Sequence, residues 1–115
     1  MAIDDLDKID LLVTDKEKTH VDLIITDHLD WEEDQGEHLQ LLQDKLNLYL
    51  AFVEDGELAE KRPDLKGLPV TILISAKYPP SAEAAKFYQL AGPLVAEAGV
   101  TSALEVGRSG IVTRF

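Results

Sequence analysis

Val70-Thr71-Ile72-Leu73-Ile74-Ser75-Ala76, followed at once by Lys77-Tyr78-Pro79-Pro80-Ser81, is the stretch that decides the fold. Its β-branched residues and apolar side chains on both faces read as a strand in the middle of a sheet. Tyr78-Pro79-Pro80 ends it, because proline cannot continue a ladder. Ser81 is then placed to cap a helix, with Glu83 in the first turn, where the helix dipole favours an acid. Ala84, Phe87, Tyr88, Ala91, Leu94, Val95 and Ala98 form that helix's buried stripe, and Gly99 closes it. Gly92-Pro93 falls inside it and predicts a kink or a split. A further strand covers residues 100–106. Strand, helix and strand in this order make a right-handed crossover, so the two strands are parallel or near neighbours.

Towards the N-terminus, Leu39, Leu42, Leu46, Tyr49, Leu50 and Val53 recur at helical spacing and predict a helix over residues 37–54, stopped at Gly56. Residues 57–68, with Pro63 and Gly67, read as a connector with room for a short helical turn. Before the helix stands an acidic loop, residues 27–37. Val21, Leu23 and Ile25 alternate with Asp22, Ile24 and Thr26, and Ile9, Leu11 and Val13 alternate with Asp10, Leu12 and Thr14. These are two strands, and the short polar link 15–19 joins them as an antiparallel hairpin. At the other end, residues 107–115 either turn at Arg108-Ser109-Gly110 and pair back as a short extra strand or fray as a tail.

The element order is therefore β-β-α-β-α-β. Two helices cannot cover both faces of four strands, so the fold class is α+β: a two-layer α/β sandwich with a four-stranded mixed sheet and both helices on one face. A chain of 115 residues is expected to form a single domain.

Charge is unevenly placed. Residues 1–60 hold 18 acidic and 4 basic side chains, a balance of −14, whereas residues 61–115 hold 4 acidic and 7 basic, a balance of +3. The total, −11, argues against nucleic-acid binding, which needs a basic patch to neutralise phosphates. The acidic N-terminus has neither the basic nor the apolar region of a signal peptide, and the longest apolar run, residues 48–53, is far short of a membrane span. A cytoplasmic location is expected, in keeping with the lack of cysteine.

Little in the chain points to catalysis. The absence of cysteine removes thiol chemistry and Cys-ligated metals. Ser75, Ser81, Ser102 and Ser109 read as strand, cap and turn residues, and none lies in a G-x-S-x-G elbow. There is no P-loop and no G-x-G-x-x-G. Residues 27–38 gather two histidines and six carboxylates, so His28, Asp30, Glu37 and His38 are candidate metal ligands or acid–base groups. The loop fails as an EF-hand, because counting from Asp30 places Gln35 where glycine is needed and Leu41 where glutamate is needed. The plainer reading is a strand-to-helix loop in which Trp31 covers the end of the core. No cofactor is expected.

The first predicted helix carries a second apolar row, Leu41, Leu48 and Phe52, at i, i+7 and i+11 and nearly opposite the main stripe. This row would pack against the second helix, or would form a dimer seam or partner groove. With Asp30, Trp31, Glu32 and Glu33 of the acidic loop, it makes up the candidate partner-binding set.

The segments Asp27-His28-Leu29-Asp30-Trp31, then Leu41-Leu42-Gln43-Asp44-Lys45-Leu46-Asn47-Leu48-Tyr49-Leu50, then Lys77-Tyr78-Pro79-Pro80-Ser81 resemble a family of small uncharacterised bacterial proteins known only as a domain of unknown function. The resemblance covers most of the chain up to the second helix and weakens after Gly99. It implies a bacterial cytosolic protein and carries no assigned activity or catalytic residue. The functional expectation is thus a non-enzymatic, acidic, protein-binding domain that self-associates through the first helix and attracts a basic partner. One concrete form is an immunity-like protein that neutralises a basic toxin. The alternative is a metal-binding or acid–base site in the 27–38 loop.

Overall fold

In the computed structural model, which describes residues 11–14, 17, 19–32, 34–107 and 112–115, the strand β3 (Val70–Ala76) lies at the centre of one sheet. The strands are β1 (Leu11–Thr14), β2 (Val21–Asp27), β3, β4 (Thr101–Val106) and β5 (Val112–Arg114), and they lie side by side in chain order. β2, β3 and β4 run parallel, and β1 and β5 close the two edges antiparallel. Three helices connect them: α1 (Gln35–Glu54), the short α2 (Glu57–Lys61) and α3 (Ala82–Glu97), with a 3-10 turn at Pro63–Leu65. The two parallel crossovers, through α1 and through α3, step in the same direction across the sheet. Right-handed crossovers of that kind place both helices on one face, and α1 and α3 do line a shared groove.

Four expectations need correction. The sheet has five strands rather than four, because residues 112–114 pair back on β4, with Leu104 opposite Thr113. There are three helices rather than two, the connector supplying α2, whose Leu58 is buried. α3 is not split at Pro93 but continues through it as one helix, with Pro93 at an exposed position. β1 also has the opposite phase. Its register sets Leu12 opposite Leu23, so Leu12 turns towards the core while Val13 is 41% exposed. In a strand with apolar residues at consecutive positions, pairing rather than composition chooses the inner face. The predicted residue Ile9 and the turn at Arg108-Ser109-Gly110 lie outside the described residues.

β2 and β3 alternate strictly. Val21, Leu23 and Ile25 of β2, and Val70, Ile72, Ile74 and Ala76 of β3, face the helices and are buried. Apolar residues stand on both faces of β3, but its outward face holds only Leu73, between Thr71 and Ser75. α1 covers this floor with Leu42, Leu46 and Tyr49, and the Tyr49 hydroxyl donates to the Ile24 carbonyl at 2.7 Å. Lys45 shares this inner face and is fully buried, its Nζ 5.8 Å from the Tyr49 ring centroid. α3 adds Ala84, Tyr88, Ala91 and Val95. None of the described helices is long and apolar enough to cross a membrane.

Candidate functional site

The carboxyl ends of β2, β3 and β4 lie at one edge of the sheet, where parallel α/β arrangements place their ligand sites. α1 and α3 begin at this edge. Ser81 caps α3 by accepting from the Ala84 amide at 3.1 Å, and its hydroxyl also donates to the Gln35 side chain, so it ties the two helix starts together.

The loop between β2 and α1 is organised by its own aspartates. Asp27 accepts from the Leu29 amide, Asp30 from the Glu32 amide and Asp34 from the Glu37 amide, each at 3.2 Å. The last of these makes Asp34 the N-cap, so α1 starts at Gln35, two residues before the sequence expectation. Asp34 followed three residues later by Glu37 is a helix-start signature that was available in the sequence.

Beneath the loop lies a buried polar cluster. Asp27 holds the last inward position of β2, in phase with Val21, Leu23 and Ile25. His38 enters from the first turn of α1, and both residues are 2% exposed. The His38 Nε2 lies 2.7 Å from each carboxylate oxygen of Asp27, and Nδ1 lies 2.9 Å from the Asp30 carbonyl. The Trp31 indole is stacked on the imidazole, with ring centroids 3.5 Å apart and planes 14° from parallel. Burial pushes the Asp27 carboxyl above its usual value, while the hydrogen bond and charge of His38 pull against that rise. Burial, with the Asp27 charge adding to it, also pushes the Tyr88 phenol well up.

Above this cluster opens a cleft of about 380 Å³. Its polar lining is His28, Asp30, Asp34, Glu37 and His38, and its apolar lining is Leu29, Leu41 and Tyr78. No lysine or arginine lines it among the described residues.

The predicted site residues separate into groups. His28, Asp30, Glu37, His38 and Leu41 come together at the cleft. Glu32 is exposed outside the lining, and Glu33 lies outside the described residues. Trp31 is turned inward at 9% exposure, which leaves little of its ring for a partner. Among the described residues no three of the His, Asp and Glu side chains converge as a metal site, and both nitrogens of His38 already face acceptors. The row Leu41, Leu48 and Phe52 does not pack against α3. The α1 residues that line the cleft shared with α3 are Gln43, Leu46, Asn47 and Leu50, and at 100° per residue the row stands on the opposite flank of the helix. Leu41 and Phe52 pack partly against the core there, and Leu48 is half-buried. Sequence reasoning missed Asp27 as a buried partner, and also Asp34, Leu29 and Tyr78 in the lining. The signal for Asp27 was its inward phase in β2.

The described residues form a mixed α+β fold with a five-stranded mixed sheet, three helices and an acidic pocket at the carboxyl ends of its parallel strands. A family model described as a family of unknown function (DUF6572) matches residues 1–108, and the chain belongs to that family. No curated protein and no solved structure matches the chain.

Proposed function

We propose that the protein is a non-enzymatic binding domain whose acidic cleft receives a cationic side chain of a basic protein partner in the cytosol. The observation that carries this reading is the cleft lining: the carboxylates of Asp30, Asp34 and Glu37 share it with Leu29, Leu41 and Tyr78, and no lysine or arginine lines it among the described residues. A lysine or arginine fits such a site, since its aliphatic stem lies on the apolar wall while its charge meets the carboxylates. The excess of acids in residues 1–60 would add long-range attraction and raise the association rate. An immunity-like role, covering the basic site of a toxin, is one form of this reading.

Acid–base catalysis has less support. The one buried histidine near the cleft, His38, spends Nε2 on Asp27 and Nδ1 on the Asp30 carbonyl, which leaves neither nitrogen to serve a substrate. The proposal is tested by capture from a bacterial lysate at low and high salt, with the wild type beside the double variant Asp30→Asn/Glu37→Gln. A basic protein held at low salt, released at high salt and held weakly by the variant supports the reading. No specific partner at low salt overturns it.

A further inference from the structure

The most exposed large apolar side chains of the helical layer are Leu90 and Leu94, at 74% and 64% exposure. They lie one turn apart on α3, above a shallow cleft of about 130 Å³ that Leu46, Leu50, Phe87, Ala91 and Val95 also line. At 100° per residue, Glu83, Lys86, Leu90, Leu94 and Glu97 fall within an arc about 80° wide, and all five are exposed. The outer face of α3 is therefore an apolar centre with Lys86, and beyond it Glu83, towards its N-terminal end and Glu97 at its C-terminal end.

We propose that this face binds a second copy of the chain, with the two α3 helices antiparallel about a two-fold axis. The charge order selects that occupant. In an antiparallel pair centred between Leu90 and Leu94, Leu90 of one copy faces Leu94 of the other. Lys86 then stands within about 1.5 Å, along the helix axis, of the second copy's Glu97. The two-fold axis is perpendicular to both helices and to the line between them, so it keeps each side chain on its own lateral side. Lys86 and Glu97 lie on the same side of the leucine pair, so they meet, and the symmetry makes the contact twice. A parallel two-fold pair would instead put Lys86 level with Lys86 and Glu97 level with Glu97 on opposite sides of the leucine pair, so no Lys86–Glu97 contact would form. α3 also belongs to the half of the chain with a balance of +3, so this contact holds the −14 half away from its copy better than one through the α1 flank. Pairing through α3 leaves the acidic cleft open for a different partner.

Sedimentation velocity on the full chain across a concentration series tests the proposal, with circular dichroism to check that each variant is folded. A wild-type dimer is expected, and Leu90→Glu/Leu94→Glu should be a monomer. Lys86→Glu and Glu97→Lys should each weaken self-association by about tenfold, because each sets like charges opposite one another at both ends. The double variant Lys86→Glu/Glu97→Lys should restore it, since the swap recreates both contacts. A wild-type monomer at high micromolar concentration overturns the proposal and leaves the face for a different chain. An unchanged mass for the leucine variant also overturns it, and failure of the double swap to rescue overturns the antiparallel register.

Discussion

The His38 imidazole is held between two acceptors, with Nε2 2.7 Å from both carboxylate oxygens of Asp27 and Nδ1 2.9 Å from a backbone carbonyl. A carbonyl only accepts, so Nδ1 carries a hydrogen. One further proton lies between Nε2 and the carboxylate, and whichever group carries it, the pair is neutral as a unit. That neutrality is what allows two titratable groups at 2% exposure inside the fold. Removing one partner leaves the other buried and unmatched. His38→Ala should therefore cost about 3–5 kcal/mol. Asp27→Asn, which keeps the shape and an acceptor oxygen, should cost less, about 1–3 kcal/mol. Urea unfolding monitored by circular dichroism measures both, and an Asp27→Asn cost near zero beside a large His38→Ala cost would show that His38 contributes packing alone.

Trp31 is the single tryptophan of the chain, and it lies flat on the same imidazole. Its fluorescence therefore reports on one place. The indole should resist quenching by acrylamide in the wild type. His38→Ala removes the surface on which it is stacked, so the variant should be quenched more readily and emit at longer wavelength, even where most of the protein remains folded. Equal quenching in the two proteins would mean that other core residues hold Trp31.

Strict alternation made β2 legible, and the long apolar stripe did the same for α1. The first predicted start of α1 was late because Asp34 reads as one more acid in a run of acids until its cap to the Glu37 amide is seen. The phase of β1 was not legible, since Leu11, Leu12 and Val13 are all apolar and only the Leu12–Leu23 register chooses among them. β5 is three exposed residues held by pairing with β4, and its sequence carries no alternation of its own. In the site, the histidines and carboxylates could be named from composition. Their division into a buried neutral pair and an open acidic lining could not, because it depends on His38 reaching back 11 residues to a strand end. Loops of this kind carry their meaning in long-range contacts rather than in spacing.

Gly92 marks a second long-range contact. A Cβ at this position would stand 2.5 Å from the carbonyl carbon of Phe115, whose ring packs on Tyr88 with centroids 4.8 Å apart. Backbone lies in the way, and Phe115 is held there by its amide, which donates to the Ser102 carbonyl at 3.3 Å, and by the Ser102 hydroxyl, which donates to its carbonyl at 3.1 Å. Gly92→Ala should thus lose stability by about 1–3 kcal/mol despite alanine's better helix propensity. In a chain cut after Arg114 the obstacle is gone, and the same substitution should be neutral or stabilising. Thermal unfolding of the four proteins gives the coupling directly, and simple additivity would show that residue 115 is not what alanine meets.

Tyr88, whose ring packs on Phe115, ties stability to alkaline pH. Its phenol is pushed well up, first by burial and then by the Asp27 charge. The folded state therefore holds the phenolic proton more tightly than the unfolded chain does. A group raised in this way contributes its full stability below its unfolded value, about 10 for tyrosine, and loses it as the pH climbs towards the folded value. Stability should accordingly fall above about pH 10, with one tyrosinate forming only as the chain unfolds. Absorbance at the tyrosinate band, followed together with circular dichroism, should show that step coinciding with the loss of structure. Tyr88→Phe should remove that step and flatten the fall in stability over the same range. A Tyr88 phenol that titrates reversibly in the intact fold would mean that water reaches it, and the slope in stability would vanish with it.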